Sequence, residues 1–381
     1  MTIENLISVD HPGTFLEEEL EARGWTQMDL AYILGWKPQT LNKIIKGAVN
    51  ITADTAQAFG EAFDMPPEFF SNLQKMYDLK QLPPPDGSVR TRARWAEHFP
   101  VRKMIERKWI SDSDPDLLDA QMLRFFECKS MDDVPFIGGA EVLSYAAKKR
   151  DYSETTPLQF LWLHRVRQIA ETFEAPDFNP DLLRQILPEI RRHMLQRSDL
   201  SKIPHMLRKC GVRFVLVEAL PSASIDGVCL WLDDRPVIAM TTLHDRMDNF
   251  CFVLMHELAH VLNGDGREKG YSAIDSAETT LDQSSSDIAE QERVANTTAA
   301  HFLIPADKLE SFYDRKAPFI SERDVLAFAA RHEIHPAIAV GQIHRISGEY
   351  NKLRKHLKKV REYLVEWEFT DGWGKVVEVQ L

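Results

Sequence analysis

Phe250-Cys251-Phe252-Val253-Leu254-Met255-His256-Glu257-Leu258-Ala259-His260-Val261-Leu262 is an apolar run with three polar residues at its centre. It contains neither Gly nor Pro, so it reads as a helix, with Asp245 or Asp248 as candidate caps and Gly264 as its stop. Histidines four apart share a helix face, with Cβ atoms roughly 5–6 Å apart. Their imidazoles can therefore meet one zinc ion at about 2.0–2.1 Å. Glu257 follows the first histidine, where a carboxylate can take the proton of an attacking water as general base. Unpaired, three such groups in a packed helix would be costly, and this favours a site over a coincidence of spacing.

A third ligand is needed. Downstream, Glu290-Gln291-Glu292-Arg293-Val294-Ala295-Asn296 opens a second helix that runs to Leu303-Ile304-Pro305. Glu292 and Asn296 are four apart and face one way. Glu292 can bind the metal while Asn296 hydrogen-bonds a ligand imidazole and fixes its tautomer. Glu290 is the rival acid, although it lies at a helix start, where any carboxylate is comfortable. His332, His335 and His344 are further histidines that spacing does not tie to the motif.

Upstream, Val212–Val217, Val228–Leu232 and Pro236–Met240 read as strands, with Asp233-Asp234 as the turn between the last two. Helical spacing dominates elsewhere, in Ala140–Arg150, Leu158–Phe173, Leu182–Gln196 and, at its basic end, Lys352–Arg361. The expected fold is mainly α with a small antiparallel β-sheet, an α+β class. Its organisation reads as an all-α domain over 1–80, a proline-rich linker over 81–88 and a helical connecting region over 89–200. A block over 201–345 that holds the candidate zinc site and a C-terminal helix and tail over 346–381 complete it. Ser272–Ser286, rich in Ser, Thr and Asp, reads as a loop.

In the first block, helices are expected over Thr14–Arg23, from a Thr26 cap through Leu34, and from Pro38 to Ile45, with Gly24 and Gly35 between them. Two helices around a tight glycine turn form the helix-turn-helix DNA reader. Ile33, Leu34, Leu41 and Ile44 would fill its core. Gln39, Thr40, Asn42 and Lys43 would face the groove, with Gln27, Lys37 and Lys46 as further contacts. Residues 1–80 carry twelve acids and six bases, but Gly24–Gly47 holds Lys37, Lys43 and Lys46 against Asp29 alone. The net charge of −12 across 381 residues excludes a protein that coats nucleic acid by bulk attraction, not a local reading face. No apolar run approaches the ~18 residues of a membrane span. Met1-Thr2-Ile3-Glu4-Asn5 lacks the marks of a signal peptide, and Cys128, Cys210, Cys229 and Cys251 are scattered, so a reduced, cytoplasmic protein is expected.

Two family resemblances add to these readings. His11-Pro12-Gly13, Trp25-Thr26-Gln27, Gln39-Thr40-Leu41-Asn42-Lys43, Ile51–Ala56 and Pro67–Gln74 resemble the Xre-type fold of HigA-like antitoxins over residues 10–79. That likeness implies an operator-binding repressor, a homodimer through its later helices, with a toxin as a potential partner. Phe252–Asn263 and Glu292–Pro305, with Gly341-Gln342-Ile343 further on, resemble the ImmA/IrrE metallopeptidases over roughly 200–345. This second likeness implies His256, His260 and Glu292 as ligands of one zinc per chain and Glu257 as general base. Thr298 stands where that family usually has Phe, and His301 where it often has Glu. Residues 99–130, with Phe99-Pro100-Val101 and Arg107-Lys108-Trp109-Ile110, resemble the connecting segment of long HigA-like proteins that carry this peptidase.

Together these features predict a transcriptional regulator whose zinc endopeptidase cuts itself or a related helix-turn-helix repressor. The alternative is a non-catalytic antitoxin or ligand-sensing regulator in which zinc is structural or sensory. A purely structural site has no need of Glu257.

Overall fold

His11 sets the start of the first helix. Its Nδ1 accepts from the Gly13 N–H at 2.9 Å, and Pro12 fills the first position, where no amide hydrogen is needed, so α1 (Pro12–Arg23) begins two residues earlier than expected. Thr26 and Asp29 form a reciprocal capping box that opens α2 (Gln27–Leu34), and Pro38 opens α3 (Pro38–Ile45). Two more helices, α4 (Ala53–Phe63) and α5 (Pro67–Gln81), close the bundle. Leu16, Leu30, Leu41, Phe59 and Phe70 are fully buried between them, each contributing about 1.5–3 kcal/mol. Ile33 is not in this core. It is 48% exposed, because the buried stripe of α2 passes through Leu30 and Ala31.

The structure, a computed structural model, describes residues 10–83, 87–111, 117–137, 156–265, 267, 273–275 and 286–379. The chain divides into two units, Met1–Val89 and Arg90–Leu381. The stretch Ala140–Arg150, the middle of the proline-rich segment and most of Ser272–Ser286 lie outside the described residues. Helix α6 (Gly87–His98) leads into the second unit. It is followed by α7 (Val101–Glu106), α8 (Leu118–Phe125), α9 (Pro157–Thr172), α10 (Pro180–His193) and α11 (Ile203–Lys209).

A mixed sheet then forms the centre of this unit. It comprises β1 (Arg213–Val217), β2 (Gly227–Leu232), β3 (Arg235–Met240), β4 (Ala273–Asp275) and β5 (Thr370–Asp371), in the order β4-β2-β3-β1-β5. β2 and β3 make the expected antiparallel hairpin, with Leu232 opposite Arg235 and both Asp233 and Asp234 at positive φ, 51° and 61°. The expectation of an all-antiparallel sheet fails at β1, which runs parallel to both β3 and β5. Every residue of β1 is buried, as befits a strand covered on both faces.

Phe214, Leu216, Ile238 and Met240 face one core, built with α12 (Met247–Asn263), and Val215, Val217, Val237 and Ala239 face another, built with α9. The remaining helices are α13 (Ser286–Leu303), α14 (Ala306–Lys316), α15 (Glu322–Arg331), α16 (Pro336–Ser347) and the short α17 (Arg361–Leu364). Lys352–Arg361 does not form one helix. It holds a single tight turn at Arg354–His356, and Leu353 sits at φ 55°, a conformation that interrupts any α-helix. The tail instead returns to the sheet as β5. There Asp371, fully buried, pairs with Arg165 at 2.6 Å and accepts from Trp109 Nε1 at 2.6 Å, joining α9, the α7–α8 connection and the last strand. Among the described residues, no helix is long and apolar enough to cross a membrane.

Candidate metal centre and DNA-reading face

Helix α12 carries the central motif through the core. Neither Asp245 nor Asp248 caps it. Its N-cap is Arg246, with no side-chain cap bond, because Asp245 Oδ1 accepts from the Val360 and Arg361 amides and Asp248 pairs with Arg246. Gly264 ends the helix in the left-handed conformation, as expected. His256, Glu257 and His260 are each 1% exposed. Glu257 is packed under β2: a Cβ on Gly227 would lie 2.7 Å from Glu257 Oε1 and 2.6 Å from Val253 Cγ1. A side chain at position 227 would have to displace Val253 or Glu257, so the glycine leaves room for the carboxylate beneath the strand.

Helix α13 brings Glu292 to the two histidines. Nε2 of His256 and Nε2 of His260 are 3.0 Å apart. Glu292 Oε2 lies 3.1 Å from the first and Glu292 Oε1 3.4 Å from the second. His256, His260 and Glu292 form a cluster whose ligand atoms lie within 4.8 Å of one another. Zinc at about 2.0–2.1 Å from each ligand in tetrahedral geometry requires edges of about 3.3 Å, so these separations fit the ion. Burial alone would push Glu292 up, but hydrogen bonds and charge from His256 and His260 outweigh it and hold the carboxyl at about 2. Burial likewise opposes a charged His260, yet Glu292 and Asp265 prevail and hold its pKa above the ordinary value. A carboxylate thus faces two buried imidazoles, the donor set a divalent ion takes.

Glu290 is not in this cluster. It pairs with Arg293 at 2.7 Å on the exposed side of α13. Asn296 is half-buried and makes no hydrogen bond to either imidazole. The residue that does so is Asp265, just beyond the Gly264 stop, whose Oδ2 is 2.9 Å from His260 Nδ1. An acid directly after the helix-ending glycine was its available signal in the sequence. Thr298 and His301 are exposed, so their departures from the family pattern fall outside the core. His344 bonds the Lys352 carbonyl at 2.6 Å, His335 caps α16, and His332 packs on Phe328, so none joins the cluster.

In the first unit, Leu41, Ile44 and Ile45 bury one face of α3, while Gln39, Thr40 and Lys43 are exposed and Asn42 is half-buried. Lys37 and Lys46 flank the helix, both exposed, and Gln27, at the start of α2, is half-buried. Asp29 is engaged by Thr26 at 2.6 and 2.7 Å, and these bonds lower its pKa. Arg23 is turned away to the Phe63 carbonyl at 2.8 Å. Tyr32, on α2, is 88% exposed.

Comparison with known proteins agrees with both halves. The IrrE N-terminal-like domain family of M78 peptidases matches residues 211–340, and a helix-turn-helix family matches residues 16–70. Virulence-associated protein I of Dichelobacter nodosus is 36% identical over 78 residues, which span 20% of this chain and 72% of that protein. The structure of an addiction module antidote protein of a HigA family from Coxiella burnetii is 31% identical, covering 24% of this chain and 97% of that one, with a TM-score of 0.19. Through its first unit the chain belongs to the helix-turn-helix family, and residues 211–340 of its second unit match the IrrE N-terminal-like domain.

Proposed function

We propose that this chain is an antitoxin-like, operator-binding regulator whose second unit is a zinc-dependent endopeptidase that cuts itself or a related helix-turn-helix protein. The observation that carries the reading is the placement of Glu257 on the same buried helix as two ligands, in a cluster with the edge lengths of a zinc site. When bound by His256, His260 and Glu292, zinc supplies a Lewis acid for a peptide carbonyl and makes water a nucleophile near neutral pH. Glu257, accommodated beneath β2 at Gly227, takes the proton and can return it to the leaving amine. Asp265 fixes the His260 ring so that Nε2 faces the ligand cluster. In the first unit, α3 offers Gln39, Thr40, Asn42 and Lys43 to base edges and Lys37 and Lys46 to phosphates, and a homodimer would place two such helices on one operator.

The zinc-loaded full chain, incubated with extract of cells under stress and mapped by mass spectrometry, tests the peptidase. Fragments of this chain, or of a co-purifying helix-turn-helix protein, should appear with the native protein and vanish with Glu257→Gln. If both proteins give the same fragments, or none, the regulator works without peptide hydrolysis.

A further inference from the structure

Lys352–Arg361 places six bases and no acid within ten residues of a chain whose net charge is −12. None of them belongs to the metal cluster or to the reading helix α3. The main chain of this stretch is pinned to the body of the second unit. The Lys352, Lys358 and Lys359 carbonyls accept from His344 Nε2 at 2.6 Å, the Met247 amide at 2.9 Å and Arg197 at 3.0 Å. Asp245 takes the Val360 and Arg361 amides, and Val360 is fully buried. With the backbone held inward, Lys352, Arg354, Lys355, Lys358 and Lys359 are all exposed. Acids match half of the six bases: Glu349 faces Lys352 at 2.6 Å, Glu322 pairs with Lys355, and Asp245 lies 4.0 Å from Arg361. Arg354, Lys358 and Lys359 have no acid within ion-pair reach among the described residues. Of these three, Arg354 alone makes a side-chain hydrogen bond, to the Tyr350 carbonyl at 3.3 Å. Beneath the loop, burial and then the charges of Arg197, Lys358 and His356 hold the His335 pKa at about 4.

We propose that this pinned basic surface, with Arg354, Lys358 and Lys359 at its centre, grips the phosphate backbone of duplex DNA. The second unit would then add a sequence-independent contact to the one made by the first. The inference rests on the DNA-binding reading above. Exposed ammonium groups on flexible stems hold phosphates as point charges and carry no base code. Exposed ion pairs such as Lys352–Glu349 are weak, so those lysines can exchange an acid for a phosphate. The acidic excess elsewhere on the chain repels DNA, which restricts such a contact to a locally basic place. Residues 82–86 alone separate α5 from α6 in the sequence, so a duplex held by the reader is concentrated near the second unit.

The full chain is titrated, across a salt series, against a fluorescent duplex enriched by the native protein from a random pool and against its scrambled counterpart. Changing Arg354, Lys358 and Lys359 together to Gln should lower the slope of log affinity against log salt by about 2–3 on both duplexes. At about 0.1 M salt both affinities should fall about tenfold or more, and their ratio should hold. Changing Lys108, Lys209 and Arg331 to Gln removes the same charge from exposed positions elsewhere in the second unit and should leave the slope as it was. Should the triple variant lose its fold, Lys359→Gln alone should lower the slope by about 1. A native slope in the loop variants, or an equal fall in the control, overturns the surface and leaves the reader standing. Native protein that holds both duplexes equally, with a slope that depends on the loop, removes the reader and keeps the surface. Native protein that binds neither duplex overturns both. A loop variant that keeps its DNA slope but loses binding to phosphatidylserine vesicles assigns the surface to a membrane and overturns the proposal.

Discussion

Oδ2 of Asp265 lies 2.9 Å from Nδ1 of His260, while Nε2 of the same ring faces Glu292 at 3.4 Å, so one imidazole is gripped at both nitrogens. With Asp265 accepting from Nδ1–H, Nε2 is the nitrogen turned to the cluster and left for an ion. Asp265→Asn should lower zinc affinity about 10- to 100-fold, by the usual loss on removing an outer partner of a ligating histidine. Competition with a chromophoric chelator reads the affinity. An unchanged value would mean that the Asp265 contact has no part in metal binding.

Purified protein should hold one zinc per chain, and the two neighbouring acids of α13 should behave oppositely. Glu292→Ala should empty the site, since its carboxylate faces both histidines, whereas Glu290→Ala should leave occupancy intact, since Glu290 is committed to Arg293 on the surface. Metal analysis after gel filtration distinguishes them. Retention in Glu292→Ala with loss in Glu290→Ala would reverse the ligand assignment.

Changing Gln39 and Asn42 together to Ala should weaken binding to the cognate operator and flatten its sequence preference. Each bidentate base contact contributes about 1–3 kcal/mol of discrimination. The fold should persist, because both side chains lie off the Leu41, Ile44 and Ile45 face. Titration at one fixed salt concentration against operator and scrambled DNA measures both effects, and unchanged discrimination would remove α3 from the groove.

The buried pair Arg165–Asp371 predicts a large stability effect. Asp371→Ala leaves the Arg165 guanidinium, 2% exposed, without its counter-charge and should cost about 3–5 kcal/mol. Adding Arg165→Met should recover part of this loss. Urea unfolding followed by tryptophan fluorescence reports it, since Trp109 hydrogen-bonds the same carboxylate. A single variant as stable as the native chain would show that the pair carries no net weight.

His335 predicts an acid-sensitive fold. Burial first, then the nearby charges of Arg197, Lys358 and His356, hold its pKa down at about 4, against about 6.5 for an unperturbed imidazole. Its Nδ1 must also stay unprotonated to accept from the Ala337 N–H at the start of α16. Between pH 6.5 and 4 the unfolded chain takes up a proton that the folded chain refuses, so stability is present above this window and lost as pH falls through it. His335→Asn keeps a capping acceptor and removes the titration. Urea midpoints at pH 7, 5.5 and 4.5 should fall less steeply for the variant than for the native protein.

Much of the fold was readable because local rules determine it. Thr26 and Asp29, Pro38, and the Asp233-Asp234 turn act over a few residues, and each forms what its sequence suggests. What was missed depends on partners distant in sequence. β1 runs parallel to β3 because a hairpin and a crossover lie between them, and no pattern within Arg213–Val217 records direction. Asp245 looked like a cap for α12 but serves the amides of Val360 and Arg361. The metal cluster was legible for the same reason as the turns: His256 and His260 lie one helical turn apart. Asp265 was not, since its contact depends on how the chain bends after Gly264.

The position of Asp371 has a consequence for the order of events during synthesis. The first unit closes its core with residues between Leu16 and Phe70. The second cannot pair Arg165, or give β1 its outer neighbour, until Asp371 has left the ribosome. At about 5–20 residues per second this delay is roughly 15–60 s. A newborn chain therefore passes through a stage in which the helix-turn-helix unit is finished while the sheet of the second unit still lacks its last strand.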